Sequence, residues 1–335
     1  VAALLAISMI LFTQEKNQKS MFWYYGNMIL TSFALIMGSS DNAYLSLAAI
    51  FGLAQLWLFQ TKTGLRRYVI SLATFFTVIL CINGINKAYA ASVLGIDSAF
   101  NLIAGTKLLP VLVVLLWVIA VVLIFMNRKP QALMNRTTDD SMNKIAVYIW
   151  IGVIAVVCLA VLFVLYDANL GGHADKYGAL SSYVVFNDEW GTQRGYVWKR
   201  AMEIYTQKLN LLQKIFGYGP DTFALIMQYY YPGEMQNGRM VIFDSAHNEY
   251  LHYLVTTGFV GMASYLVFMV SSIVAMAKKI KEQPIVAAVM MAVLAYAIQA
   301  VVNINLPIAM PIILQLLAMG VGRKKTADKA EEKAE

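Results

Sequence analysis

The sequence predicts an all-α, polytopic bundle of transmembrane helices carrying one large helical extracytoplasmic loop. Three observations predict it. Of 335 residues, 59% are hydrophobic and only 13% charged, whereas soluble domains carry roughly 25% charged residues. The apolar residues fall mainly in blocks of about 17–25, enough to cross a hydrocarbon core of about 30 Å at 1.5 Å per helical residue. Lys and Arg gather in alternate connections between those blocks. A water-soluble globule is excluded by the first observation, and a disordered chain would need low hydrophobicity and high charge.

The apolar blocks run over 1–12, 21–38, 42–59, 68–86, 108–126, 145–166, 249–276, 285–302 and 306–320, about nine spans. The first opens on Val1 without an initiator Met and reads as a truncated span, since no basic region or cleavage site marks a signal peptide. Basic residues mark one set of connections: Lys16 and Lys19; Lys62, Arg66 and Arg67; Arg128, Lys129, Arg136 and Lys144; Lys278, Lys279 and Lys281; then Arg323, Lys324 and Lys325. The alternate connections hold little beyond Lys87 and Lys107. Placing every basic connection in the cytoplasm gives one consistent alternation with a cytoplasmic C-terminus. The net charge of +7 thereby serves orientation, and no nucleic-acid partner is implied. Cys81 and Cys158 both lie in apolar blocks, which excludes a disulfide framework.

The same alternation puts residues 167–246 outside, between spans 1–166 and 247–322, with a charged cytoplasmic tail at 323–335. The loop holds 7 Lys/Arg against 8 Asp/Glu, so its basic residues are not orientation signals. Val197, Ala201, Ile204, Tyr205, Leu211, Leu212 and Ile215 recur at helical spacing, which predicts a helix lying along the membrane surface or capping the bundle. The spans are almost free of ionisable residues, which disfavours a pump or transporter. Chemistry is expected at the outer face.

Two stretches could carry it. In the first, Asp244, Ser245, Ala246, His247, Asn248, Glu249, Tyr250, Leu251 and His252 lead into Gly258 and Gly261. The two His are five apart, about 140° round a helix, so they do not form a zinc pair. With Asp244 or Ser245 as N-cap, His247 falls in the first turn, where the dipole favours neutral imidazole and hence a general base; an interfacial His anchoring a helix end is the alternative. In the second, Thr192 as N-cap puts Arg194 in the first turn of the loop helix, suited to a phosphate, or to a lipid headgroup. Trp198 lies one turn on and holds the Arg stem. Gly217, Gly219 and Pro220 end that helix. Tyr229, Tyr230 and Tyr231 read as an interfacial aromatic belt more readily than as sugar-stacking residues.

His247, Asn248, Glu249, Tyr250 and Leu251, followed by Thr257, Gly258 and Gly261, resemble the His motif that follows the large outer loop in bacterial O-antigen ligases and polymerases. Arg194, Trp198 and Ala201, then Gly217, Gly219, Pro220 and Phe223, resemble that family's Arg-x-x-x-Trp and Gly-x-Gly-Pro patterns, in the same order. The likeness covers about residues 145–322. It implies a membrane glycosyltransferase that moves a glycan from a polyprenyl-pyrophosphate carrier to an acceptor hydroxyl on a glycan, lipid or protein. His247 would activate that hydroxyl and Arg194 would hold the pyrophosphate. Arg239, Glu249, Lys199, Arg200 and Trp198 are further substrate-binding candidates. A second family Arg is absent, because Asp41 stands at the corresponding place. No cofactor or metal is expected, since the loop offers only Asp188 and Glu189 as adjacent carboxylates and Asp139 and Asp140 lie on the other side. A transport-related member of the superfamily and a non-catalytic membrane subunit remain the competing classes; each predicts that His247 is dispensable.

Overall fold

The computed structural model describes residues 1–38, 40, 42–93, 99–126, 136–232, 243–281 and 283–323, with 99, 102, 136–143 and 179 described by their backbone alone. Asp41, Arg239 and the tail 324–335 lie outside the described residues. All regular structure described is helical. In chain order the helices are α1 Ala2–Gln14, α2 Gln18–Met37, α3 Ala43–Leu53, α4 Gln55–Leu58, α5 Lys62–Ala88, α6 Ala99–Gly105, α7 Leu109–Met126 and α8 Arg136–Asn169. Then follow α9 Ser181–Val184, α10 Trp190–Glu203, α11 Leu211–Phe216, α12 Phe223–Tyr230, α13 Glu249–Thr256, α14 Gly258–Ala277, α15 Pro284–Gln299 and α16 Met310–Gly322.

Among the described residues, five helices are long and apolar enough to cross a membrane: Lys62–Ala88, Leu109–Met126, Lys144–Asn169, Gly258–Ala277 and Pro284–Val302. The segments Ala2–Gln14, Ala43–Leu58 and Met310–Gly322 are apolar but shorter. On α7 the buried residues Leu109, Val113, Leu116 and Ala120 share one stripe, while Val111, Val114, Leu115 and Val118 are exposed. Leu, Ile and Val around the exposed face are what lipid tails tolerate and water does not.

The helices divide into two compact units. One comprises Val1–Val153, Ile273–Gln299 and Ile312–Glu335. Its core packs Leu5, Met9, Ile10, Ile50 and Phe100 against Ala287, Ala288, Ala292 and Ala295 of α15. Alanines allow helix backbones to approach closely where lipid gives no hydrophobic drive for association. Several polar groups in this unit are paired. The Ser46 hydroxyl donates to Gln299 Oε1 at 2.8 Å, Tyr25 and Thr74 hydroxyls share a bond of 2.8 Å, and Trp117 Nε1 donates to Thr77 Oγ1 at 3.0 Å. The Arg67 guanidinium donates to the Phe12 carbonyl at 2.9 Å, and Lys279 to the carbonyls of Val321 and Arg323 at 2.6 Å. Each cation thereby satisfies the orphan carbonyls at a helix C-terminus.

The second unit comprises Ile154–Ser272 and Ala300–Pro311. Its core joins Tyr196, Val197, Ala201 and Ile204 of the α10 segment to Phe223, Ile226 and Met227 of α12, to Phe243 and Ala246, and to Leu251 and Val255 of α13. The single helix expected through residue 215 is interrupted. After Glu203 the chain makes a wider π turn over Ile204–Lys208, leaves the helix at Leu209, and restarts with a capping box in which Asn210 and Gln213 satisfy each other's backbone N–H groups. The expected apolar stripe therefore breaks. Val197, Ala201 and Ile204 are buried, but Leu211 is 72% and Leu212 69% exposed.

Candidate active site

The site elements are anchored where α8 ends. The Asn169 side chain copies a strand partner there: its Nδ2 donates to the Val184 carbonyl at 2.7 Å and its Oδ1 accepts from the Phe186 N–H at 2.6 Å. Two residues earlier, Asp167 accepts from the Tyr177 hydroxyl at 2.6 Å and from Lys176 at 3.3 Å, and pairs with His173 Nδ1 at 2.7 Å. These contacts fold residues 173–186 onto the helix end. Sequence spacing gave no hint of Asp167 or His173 as partners.

The start of α10 differs from expectation. Gly191, Thr192 and Gln193 all have positive φ, at 60°, 62° and 71°. Thr192 thus does not cap in the extended conformation that an N-cap requires, and three left-handed residues in a row include a β-branched one, a sparsely populated arrangement. Right-handed helix begins at Arg194, whose side chain lies over Gly191 at 3.3–3.4 Å from where a Cβ would stand. The next residue, Gly195, packs on the Asn187 carbonyl so closely that no Cβ fits. Arg194 is in the first turn, as expected, but the left-handed turn rather than a Thr cap sets it there.

Trp198 lies one turn on from Arg194, and its contacts run to Ala246, Trp190 and Phe186. Its Nε1 donates to the Ala246 carbonyl at 2.8 Å, which ties α10 to the residue before His247. Its ring meets Trp190 at 5.2 Å and Phe186 at 6.1 Å. Lys199 donates to Asp188 at 2.8 Å, and Arg200 to Glu203 at 2.8 Å. The Arg200 guanidinium also sits over Tyr231 at 4.6 Å and Tyr196 at 5.5 Å. The last tyrosine of the expected aromatic belt is accordingly part of the loop core, whereas Tyr229 is exposed.

His247 does not lie within the first helical turn. Asn248 is the cap: its φ of −150° is extended and its Oδ1 accepts from the Leu251 N–H at 3.0 Å. That leaves His247 outside, at φ 47°, with its N–H donating to Ser245 Oγ at 3.3 Å. His247 is half-buried, and burial, then the charge of Arg194, push its pKa below the ordinary 6.5, while Asp244 opposes them. The structure therefore brings Arg194 within electrostatic reach of His247, and it replaces the expected dipole effect with desolvation and a neighbouring cation. Glu249 opens α13 and is 1% exposed. His252 stacks on Phe223 at 5.4 Å and 26°.

Gly217 and Gly258 lock the end of α11 against the end of α13. Both have φ 70°, and a Cβ on either would strike backbone of the other's segment. The N–H groups of Tyr218 and Gly219 both donate to the Thr256 carbonyl at 2.8 Å, filling an acceptor left open at the C-terminus of α13. Among the described residues, no group of three or more His, Cys, Asp or Glu is placed to hold a metal ion.

A search of curated proteins returns no match. The sequence model of the O-antigen ligase family matches residues 90–266, just over half the chain and inclusive of both Arg194 and His247. The match starts earlier than the motifs alone indicated and ends within α14. This chain is a membrane protein of polysaccharide biosynthesis that belongs to the O-antigen ligase family.

Proposed function

We propose that this protein transfers a glycan from a polyprenyl-pyrophosphate carrier to an acceptor hydroxyl at the outer face of the bacterial cytoplasmic membrane. The observation that carries the reading is a half-buried His247 just outside α13, within electrostatic reach of Arg194, whose charge joins burial in lowering its pKa. Neutral imidazole is the competent form of a general base. The acceptor hydroxyl attacks the anomeric carbon, its proton passes to His247, and the C–O bond to the pyrophosphate breaks. The negative charge that develops on the leaving polyprenyl pyrophosphate is met by the Arg194 guanidinium, whose planar fork suits phosphate oxygens.

Charge balance by Arg makes the reaction independent of a divalent metal in this account. Arg239 is the second clamp we assign, in place of the family Arg missing at Asp41. Glu249 orients His247 or the acceptor. Lys199 and Arg200, engaged by Asp188 and Glu203, are further substrate-binding residues of the site. We further propose nine spans: residues 1–166 and 247–322 form the membrane domain, 167–246 the extracytoplasmic loop and 323–335 the cytoplasmic tail.

The test follows donor consumption by the full-length protein in lipid discs with EDTA present, using a polyprenyl-pyrophosphate oligosaccharide. Turnover by wild type that is abolished in His247→Ala and Arg194→Ala, with folding preserved, supports the reading; full activity in either variant contradicts it. Product length separates transfer onto a distinct acceptor from polymerisation.

A further inference from the structure

We infer that Phe186, Trp190 and Trp198 form a stacking platform for the first pyranose of the donor, the sugar bonded to the pyrophosphate. The inference rests on the proposed function. Its basis is a three-ring cluster in the second unit, with Phe186–Trp190 centroids at 5.4 Å, Trp190–Trp198 at 5.2 Å and Phe186–Trp198 at 6.1 Å. The rings are held but not buried: Phe186 is 40% exposed, and both indoles keep part of their surface open.

The cluster is not arranged as a membrane-interface belt. Belt tryptophans keep the indole N–H toward headgroups or water. Here both N–H groups are spent on backbone, Trp190 on the Tyr183 carbonyl at 2.9 Å and Trp198 on the Ala246 carbonyl at 2.8 Å. Phe186 is fixed through its own N–H by Asn169 at 2.6 Å. What remains open is ring surface, the apolar kind on which the C–H rim of a sugar ring packs. Polar groups for the sugar's hydroxyls adjoin it. Asp188 bonds Lys199 at 2.8 Å, and Lys199 Nζ lies 5.8 Å from the Phe186 centroid. Apolar platforms with a few fixed polar groups are the usual make-up of small-ligand sites.

Position argues for the first sugar rather than a distal one. Arg194 lies one turn before Trp198 on the same helix, and the residue after Ala246 is His247. A pyrophosphate at Arg194 puts the sugar joined to it beside Trp198, with its anomeric carbon toward His247. The platform would then fix the plane of the ring under attack.

The experiment compares two carriers, undecaprenyl pyrophosphate bearing a trisaccharide and undecaprenyl pyrophosphate alone. Each is radiolabelled and bound at equilibrium to the full-length protein in phosphatidylethanolamine/phosphatidylglycerol discs. Phe186→Leu and Trp190→Leu keep an apolar side chain and remove the flat face. The expected result is about tenfold weaker binding of the sugar-bearing carrier and unchanged binding of the bare one. Equal loss for both carriers, the result of bilayer anchoring, overturns the platform, as does no loss for either. Arg194→Ala is expected to weaken both carriers. If it weakens neither, the pyrophosphate reading fails on its own, and if neither carrier binds wild type, both readings fall.

Discussion

The Trp198 indole donates to the carbonyl of Ala246 at 2.8 Å, so the helix that carries Arg194 is fastened to the residue before His247. A neutral hydrogen bond of this kind contributes about 1 kcal/mol to stability, a small share of a folded membrane protein. Its larger effect is on alignment, where a misplacement near 1 Å can cost roughly 100-fold in rate. Trp198→Phe keeps most of the ring and removes the donor. We expect roughly tenfold or greater loss in kcat with little change in melting temperature, measured by donor turnover and thermal unfolding on the same preparation.

The pH dependence follows from the causes acting on His247. Burial and Arg194 both disfavour imidazolium, so the base stays neutral down to a pH below 6.5 and activity falls as pH drops through that lowered pKa. Removing the cation in Arg194→Ala stabilises imidazolium and moves the pKa upward. The chain has three His, so labelled-His NMR in lipid discs resolves the titration without reference to turnover. A bound pyrophosphate has the opposite charge to Arg194, so the acid limb of kcat is expected at higher pH than that of kcat/KM.

Gly217 and Gly258 combine positive φ with backbone contact to each other's segments. Ala at either position meets both the left-handed strain of about 1–3 kcal/mol and a collision that backbone must yield to. Gly217→Ala and Gly258→Ala are therefore expected to lower stability by about 2 kcal/mol or more, read as loss of the folded fraction on heating in detergent. Gly26 and Gly84 have open space where a Cβ would stand, and Ala there is expected to be neutral or to stabilise by up to about 1 kcal/mol.

Asn248 is the cap that leaves His247 outside the helix. Asn248→Ala forfeits about 1 kcal/mol of capping and frees the backbone that holds the imidazole, so turnover is expected to fall more than stability does. Asn248→Asp restores the acceptor oxygen and is expected to recover most of both, as judged by turnover and melting temperature.

The helical class and its apolar blocks were legible because lipid imposes long apolar runs that composition and spacing reveal directly. The His247 and Arg194–Trp198 stretches were legible because charged and aromatic residues stood apart from those runs. The local backbone was not. A left-handed turn at Gly191, Thr192 and Gln193 leaves only one glycine as its signal, and Thr192 looked like an ordinary cap. The π turn after Glu203 preserves the apolar spacing up to Ile204 and then breaks it without Gly or Pro. Asn248 stood in plain view as a capping residue, but Asp244 and Ser245 competed for the same role, and only the extended φ of Asn248 and its bond to the Leu251 N–H mark where the helix begins. Phe186 and Trp190 escaped notice because their partners are remote in sequence or set by the turn between them.

The most direct test of the central claim separates donor binding from donor turnover in the two site variants. Polyprenyl-pyrophosphate oligosaccharide binding and consumption are measured side by side for wild type, His247→Ala and Arg194→Ala in lipid discs with EDTA. The account predicts that His247→Ala binds the donor with wild-type affinity and does not turn it over, while Arg194→Ala loses affinity about tenfold or more. Undiminished turnover in His247→Ala, or undiminished donor affinity in Arg194→Ala, would contradict it.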